Sequence, residues 1–428
     1  MRVGQLTLSS FRNYPELRLT PGLGLNILYG ANAQGKSNVL EAISLLATTR
    51  SLRAGRESEL IRRDTEMAHV QAEIVREREG DVDLQVSVLQ GDKKLVRVNG
   101  MKRGRVLDLL GQFNAVFFGA LDLAIVSGEP SDRRHYMNVE ISQISPRYVY
   151  DLGHYKRVLA QRNRLLRDLR ERPRSREEAG LDAWNEQLVT FGAPLFDKRR
   201  FYIERLAPLA DQIHRDLTDG KEGLEVRYLP SISLPPPPLA AVARSADAAG
   251  AAVRETMEDR YLADAARQTR GPESASRALS ENATASGLSA TQSIQTAFQY
   301  ALLAVAAEEA RRGTTLLGPQ RDDLCFFING VDAKVYGSQG QQRTVALALK
   351  LAEFRLIEDY IGEAPVMLLD DAMSDLDDMR RGHLLCWVRR RCQTFLTCTN
   401  LRYFSDDILN EAAIFHVVAG TVIPDGEN

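Results

Sequence analysis

The sequence predicts an α/β fold built from both ends of the chain, with a mainly helical second lobe inserted between them. Three observations carry that prediction. Residues 23–29 (LGLNILY) form a short apolar run that enters a glycine-bounded loop, and past the loop Val39, Leu40, Ile43 and Leu46 recur at helical spacing. Near the opposite end, residues 366–369 (VMLL) are the continuous apolar strand of a parallel sheet covered on both faces, with residues 394–399 as a neighbour. Between these, from about residue 130 to 216, the texture changes to long amphipathic helices. The boundaries that follow are 1–125 and 291–428 for the two parts of the sheet-bearing lobe, 126–230 for the helical lobe, and 231–290 for an insertion or linker.

The elements can be taken in order. Val82, Leu84, Val86 and Val88 alternate with Asp83, Gln85 and Ser87, the period of a half-buried antiparallel strand. Asn99-Gly100 predicts a tight hairpin turn before Met101. In the helical lobe Leu152, Tyr155, Val158, Leu159, Leu165, Leu166 and Leu169 make an apolar seam. Residues 156–176 hold nine basic and two acidic side chains; a solvated helix face and a contact for DNA or a protein partner both fit that excess. Residues 235–238 are four consecutive prolines, which stop any helix. The Ala/Ser-rich sequence after them has few large apolar side chains to offset the entropy of ordering, a helix at about 253–267 being the exception. Regular structure resumes near Ile294, and Phe326, Phe327 and Ile328 lead into a second turn at Asn329-Gly330. Residues 341–354 are a helix apolar nearly all round, and hence buried.

At 428 residues the chain has ample length for a core and two or three domains. Its 55 Lys and Arg against 57 Asp and Glu leave a formal charge of −2, which excludes holding DNA by bulk positive charge but not by a local basic face. No apolar run approaches the roughly 20 residues of a membrane helix. The N-terminus lacks a secretory apolar core, so a cytoplasmic location is expected. Cys325, Cys386, Cys392 and Cys398 match no zinc or redox spacing and read as buried structural thiols in a reducing compartment. Six histidines include no HExxH pair, which disfavours a histidine-held catalytic metal.

Gly30, Ala31, Asn32, Ala33, Gln34, Gly35, Lys36 and Ser37 fit GxxxxGK[ST] at every fixed position, after a strand and before a helix. In such a loop the glycines let backbone N–H groups face phosphates, and the helix N-terminus adds partial positive charge. Lys36 is then expected to contact the β- and γ-phosphates and Ser37 to bind Mg²⁺. Asp370 and Asp371, which end the apolar strand, complete the metal site: Asp370 toward Mg²⁺, Asp371 to polarise an attacking water. Between the two motifs Ser338, Gln339, Gly340, Gln341 and Gln342 open the buried helix, and their order relative to the loop and the Asp pair is that of ABC-type ATPases.

Several longer segments carry a closer likeness. LTLSSFRNYPELRL, GANAQGKSNVLEAI and RSLRAGRESELIRR at the N-terminal end, then GEPSDRRHYMN, QRNRLLR, GPQRDDL, SQGQQRTVALALKLAE and LLDDAMSDLDDMRR, resemble the RecF family of bacterial recombination mediators, relatives of the heads of SMC and Rad50 proteins. The likeness covers nearly everything except about 237–288. It implies an ABC-type, SMC/Rad50-head-like P-loop ATPase lobe made from both chain ends. It further implies ATP held by residues 30–37, catalysis by Lys36 and Asp371, and Mg²⁺ on Ser37 and Asp370. Ser338–Gln342 would contact ATP across a homodimer interface, with Asp377 at that interface and Arg12 approaching the nucleotide. The implied activity is weak, DNA-dependent ATP hydrolysis used as a switch for binding DNA at single-strand gaps and junctions, with RecR and RecO as partners.

Three departures from the family pattern stand out. Residues 118–122 (FGALD) replace a segment that usually carries Pro-Glu before the aspartate, Gln320 replaces a histidine, and Thr399-Asn400 offers no switch histidine. Slow hydrolysis is expected on that last ground. The alternative is an ATPase subunit of a transport or other non-DNA assembly, which SQGQQ in place of LSGGQ disfavours.

Overall fold

The computed structural model describes residues 1–51, 53–172, 180–235, 291–389 and 391–425. Of the linker expected at 231–290, residues 236–290, with the helix expected at 253–267, lie outside them; Ser231 and Ile232 are described, and Ile232 is buried. The chain divides into two compact units: one of residues 1–149, 209–227 and 325–428, the other of 150–208 and 228–324.

In the first unit a six-stranded antiparallel sheet has the order β2-β1-β4-β5-β6-β7, where β1 is Arg2–Phe11, β2 Tyr14–Leu19, β4 Met67–Val75, β5 Val82–Leu89, β6 Lys93–Val98 and β7 Met101–Lys102. The alternation seen at 82–88 is the buried and half-buried pattern of β5. Asn99 and Gly100 join β6 to β7 at φ 52° and 73°, the two left-handed positions of a tight hairpin. A second sheet has the order β12-β11-β3-β10-β9-β8. Its members are β3 Leu25–Tyr29, β8 Ala115–Gly119, β9 Val366–Asp370, β10 Thr394–Cys398, β11 Ala413–Val418 and β12 Thr421–Pro424. All its pairings are parallel except the β11–β12 hairpin. Because β3 lies between β10 and β11, residues from opposite chain ends share one sheet.

Helix α1 (Lys36–Thr48) contacts both sheets. Val39, Leu40, Ala42, Ile43, Leu45, Leu46 and Ala47 are all fully buried, so its periodic apolar stripe is only half of what it hides. One core cluster joins these residues to Leu6, Val70 and Val86 of the first sheet and to Leu368 and Phe395 of the second. The later helix, Gln339–Ile361, also contacts β8 and buries most of its length. It starts on a reciprocal Ser338–Gln341 capping box and stops at left-handed Gly362.

The unit boundaries differ from those read off the sequence. Helices α2 (Leu123–Ser127) and α3 (Pro130–Ile144) pack on Gln339–Ile361 and belong to the sheet-bearing unit, whereas residues 291–324 belong to the helical one. The physical reason is visible in residues 291–304, a helix whose Ile294, Phe298 and Leu302 recur at four-residue spacing and are buried; Phe298 meets Phe196 edge to face at 5.3 Å. The helical unit also contains most of α4 (Pro146–Glu171) and α5 (Leu181–Leu217).

In the α4 seam Tyr155, Val158, Leu166 and Leu169 are buried. Arg162, counted in its basic excess, is buried too: it donates to Glu309, Thr315 and Asn185 at 2.6–2.8 Å. Of the four thiols expected to be buried only Cys398 is so; Cys325 and Cys392 are half-buried, and the fourth is Cys386. It is exposed, because the helix Asp378–Val388 turns Leu384, Leu385, Trp387 and Val388 inward and leaves 386 on the outer face. Cys398 is buried, and desolvation lifts its thiol to about 11.

Candidate nucleotide site

The loop from Gly30 to Gly35 leaves the C-terminal end of β3 and enters α1. Gly30 sits at φ 153° and Gly35 at φ 114°, and a Cβ on Gly30 would stand 2.4 Å from the Val417 carbonyl oxygen. Two neighbouring turns brace the loop. From one side Asn13 Nδ2 donates to the Gln34 carbonyl at 2.8 Å and the Tyr14 hydroxyl to the Gly35 carbonyl at 3.1 Å, while Asn38 Nδ2 donates to Asn13 Oδ1. From the other, the backbone N–H groups of Ala419 and Gly420 donate to the side-chain and main-chain oxygens of Gln34. Asn13, Tyr14 and the 419–420 turn were not singled out in the sequence; FRNY before the first loop was the signal available for the former pair.

Lys36 is buried, and its Nζ donates to the Gly30 and Ala31 carbonyls at 2.7 and 2.8 Å. Burial lowers its pKa, opposed by the charges of Asp371 and Asp370. The parallel register explains that electrostatic link. Tyr29 pairs with Cys398 and Thr397 with Asp370, so the loop and the Asp pair emerge at the same edge of the sheet. Carboxyl ends of parallel strands are where such folds bind ligands. Thr397, fully buried, donates its hydroxyl to Asp370 Oδ1 at 2.8 Å and accepts the N–H of Asp371 at 2.9 Å. Asp371 itself holds φ 54°, a strained value for a non-glycine residue, at the point where the strand turns into the next helix.

Arg12 is less free than the motif suggests. Its guanidinium grips buried Glu41 of α1 with two bonds of 2.9 and 2.8 Å and donates a third to the Glu59 carbonyl. It therefore pins the Arg12–Tyr14 turn that braces the loop.

The segment at 338–342 forms a separate cluster. Ser338, Gln339 and Gly340 are exposed. Gln341 is spent on the capping box and on Glu222, and buried Gln342 donates to the Ala333 and Lys334 carbonyls. Asp377, exposed, caps the helix Asp378–Val388 and pairs with Arg380 at 2.8 Å. Arg380 Nη1 also stands 3.9 Å from a Cβ built on Gly340, as does Ser338 Oγ, so Arg380 links Asp377 and Gly340 in one exposed corner. The sequence reading did not single it out.

A family model described as the RecF/RecN/SMC N terminal domain matches residues 2–412. The DNA replication and repair protein RecF of Oceanobacillus iheyensis is 37% identical over 99% of this chain and all of its own length; that of Geobacillus kaustophilus is 37% identical over 99% of both. The chain belongs to the RecF family. A solved structure described as the recombination mediator protein RecF-ATPrS in RecFOR pathway superposes with a TM-score of 0.78 at 30% identity, covering 99% of this chain and 98% of that one. An Smc head domain from Pyrococcus furiosus, at a TM-score of 0.50 and 16% identity, is alike in fold alone. The ABC-type, SMC-head-like fold expected from the sequence is thus the fold of the molecule.

Two departures from the RecF pattern acquire locations. Gln320 lies in the helical unit, where its side-chain oxygen bonds the Tyr155 hydroxyl, and the aspartate two residues on, Asp322, receives Arg199, Tyr228 and the Ser231 N–H. That segment is a buried knot within its own unit. In FGALD, Gly119 pairs in register with Asp370, and a Cβ there would stand 3.2 Å from the Asp370 Cβ. Among the described residues no helix is long and apolar enough to cross a membrane.

Proposed function

We propose that the chain is an ATP-dependent DNA-binding switch of DNA replication and repair, a recombination mediator whose two copies close around ATP and act at single-strand gaps and junctions. The observation that carries the nucleotide part is the common sheet edge at which the helix-capping loop, Lys36 and the Asp pair meet. Relatives named RecF-ATPrS and RecF-ATP support ATP as the ligand, and relatives named DNA replication and repair proteins support the setting.

The residues present fit Mg²⁺ bound with a nucleotide. No group of three or more His, Cys, Asp or Glu among the described residues could cage a metal alone, and Mg²⁺ characteristically takes one or two protein oxygens and completes its shell with phosphates and water. Ser37 and Asp370 would supply those oxygens, with Thr397 donating to the Asp370 carboxylate. The ion would neutralise charge on the phosphates. Lys36 would move its ammonium from loop carbonyls to phosphate oxygens, and Asp371 would orient water. Ser338, Gln339 and Gly340 are open to a second copy, with Asp377 and Arg380 beside them, whereas Gln341 and Gln342 support the corner from behind. Contact with DNA would be directed mainly at phosphates, hence salt-sensitive and weakly sequence-specific, and RecR, with RecO, is the partner class that family membership suggests.

Lys36→Ala tests the site. ATP affinity by calorimetry is expected to fall about 100-fold, near 2.7 kcal/mol, with dimerisation by ATP abolished in sedimentation. Unchanged ATP affinity would remove the phosphate-loop assignment.

A further inference from the structure

We propose that Lys350 is a positioning residue that couples the nucleotide end of the parallel sheet to the helix Gln339–Ile361 within one copy of the chain, so that occupancy at Asp370 is felt at Ser338. The proposal rests on the nucleotide-switch reading above.

Lys350 is 3% exposed, three turns into that helix, and its Nζ lies 3.0 Å from Glu140 Oε1 of α3 and 2.6 Å from Glu353 Oε2. Both carboxylates are buried as well. Burial and the neighbouring Glu140 charge raise the Glu353 carboxyl far above its usual range, while Lys350 holds Glu140 below it. Lys350 and Glu140 thus form the charged pair, and Glu353 is driven toward its neutral form.

From Glu140 an unbroken run of hydrogen bonds reaches the sheet. Gln143 Nε2 donates to Glu140 Oε2 at 2.8 Å, and Gln143 accepts from Ala115 N and Asn114 Nδ2 at 3.2 and 2.9 Å. The Asn114 carbonyl accepts the N–H of Val366, the first residue of the strand that ends in Asp370. The other end of β8 answers to the same lysine. Asp122, whose Oδ2 accepts the Gly119 N–H at 2.8 Å, has Lys350 as the opposite charge acting on it, and Gly119 is the register partner of Asp370.

Stability alone does not account for this arrangement. Burying a lysine among carboxylates carries a desolvation cost that apolar packing avoids, and the neighbouring buried positions Leu347, Leu349 and Leu351 show that the helix accepts apolar side chains here. What an ion cluster adds is a response. A displacement of β8 or of the Asp370 strand moves the acceptors of Lys350, and a low-dielectric network transmits it as a change in charge geometry.

The test uses the full chain as wild type, Lys350→Met, the doubly neutral Lys350→Met/Glu140→Gln, and Asp122→Asn, which keeps an acceptor for Gly119 but removes the charge. Melting temperature, ATP binding and amide hydrogen exchange over residues 338–345 with and without ATP are measured for each. The single Lys350→Met variant is expected to melt lower because Glu140 is left unpaired, and the double variant to regain the loss. All are expected to bind ATP as wild type does, since none lies on the phosphate loop. The ATP-induced change in exchange at 338–345 is expected in wild type, absent in the double variant and diminished in Asp122→Asn. A double variant that regains its melting temperature and keeps the ATP-induced change would reduce Lys350 to a structural pair and overturn the proposal. If the double variant does not fold, a full ATP-induced change in Asp122→Asn overturns it instead. A wild type that binds ATP without any change at 338–345 overturns it too, while a wild type that fails to bind ATP overturns the functional reading first and this inference with it.

Discussion

Asp122 shows what a single side chain costs when it is placed for something other than stability. Burial lifts its carboxyl from 3.8 to about 6, with Lys350 opposing the rise. The folded chain thus holds a proton there more tightly than the unfolded chain does. Its contribution to stability is fully present below pH 3.8 and is lost as pH rises through about 6. Asp122→Asn, neutral throughout, is expected to match wild type in melting temperature at the acid end and to exceed it by a margin that grows from pH 3.8 and levels off above about pH 6; a constant difference between the two from about pH 3 to 7 would show that the carboxyl does not titrate between those limits. Thr397 and Asn13 teach the complementary lesson. Each spends polar atoms on orienting a neighbour, Asp370 in one case and the Gln34 carbonyl in the other, and only Asn13, within FRNY, had a motif to signal it.

At the scale of the element, the helix Gln339–Ile361 is both a core member and a presenting device. Its interior packs against β8, α2 and α3, while its first turn, stabilised by the capping box, lifts Ser338, Gln339 and Gly340 into solvent. Ser338→Arg places a bulky cation at that exposed corner beside Arg380 and removes the hydroxyl that caps Gln341 N. Loss of an N-cap of this kind costs about 1 kcal/mol, so the fold is expected to persist. ATP is expected to bind the variant as it binds wild type but no longer to drive dimerisation or to strengthen binding to gapped DNA. Dimerisation by ATP at wild-type strength would place the interface elsewhere.

For the whole molecule, the sheet-bearing unit draws on residues 1–149, 209–227 and 325–428, so the phosphate loop and the Asp pair can meet only in a chain that has folded across the intervening sequence. The long closure adds little in free energy because the entropy of a loop grows only logarithmically with its length. On that ground deletion of residues 237–288 is expected to leave ATP affinity unchanged in calorimetry; loss of affinity would show that these residues support the site. Binding to DNA, if phosphate-directed, is expected to weaken steadily as salt rises, and a salt-independent affinity would contradict contact of that kind.

The phosphate loop, the Asp pair, the capped helix and the hairpin turns were legible in the sequence, because each depends on residue types at fixed local spacing: glycines at Gly30 and Gly35, apolar runs before Asp370, Asn-Gly at 99–100. The order of strands in the parallel sheet was not. Nothing local to residues 25–29 says that they will lie between strands from the far end of the chain. Likewise Cys386 among leucines, Arg162 in a basic run and residues 291–324 beside the second half of the sheet were read from their sequence neighbours, and tertiary packing reassigned each. By itself the sequence determined the local strands, helices and turns and the residue types they carry, since backbone preference and side-chain identity are local. Only the tertiary structure decided which polar groups face one another, as Lys350 and Glu140 do, because burial and charge pairing are set by elements that meet in space and not by residues that adjoin in the chain.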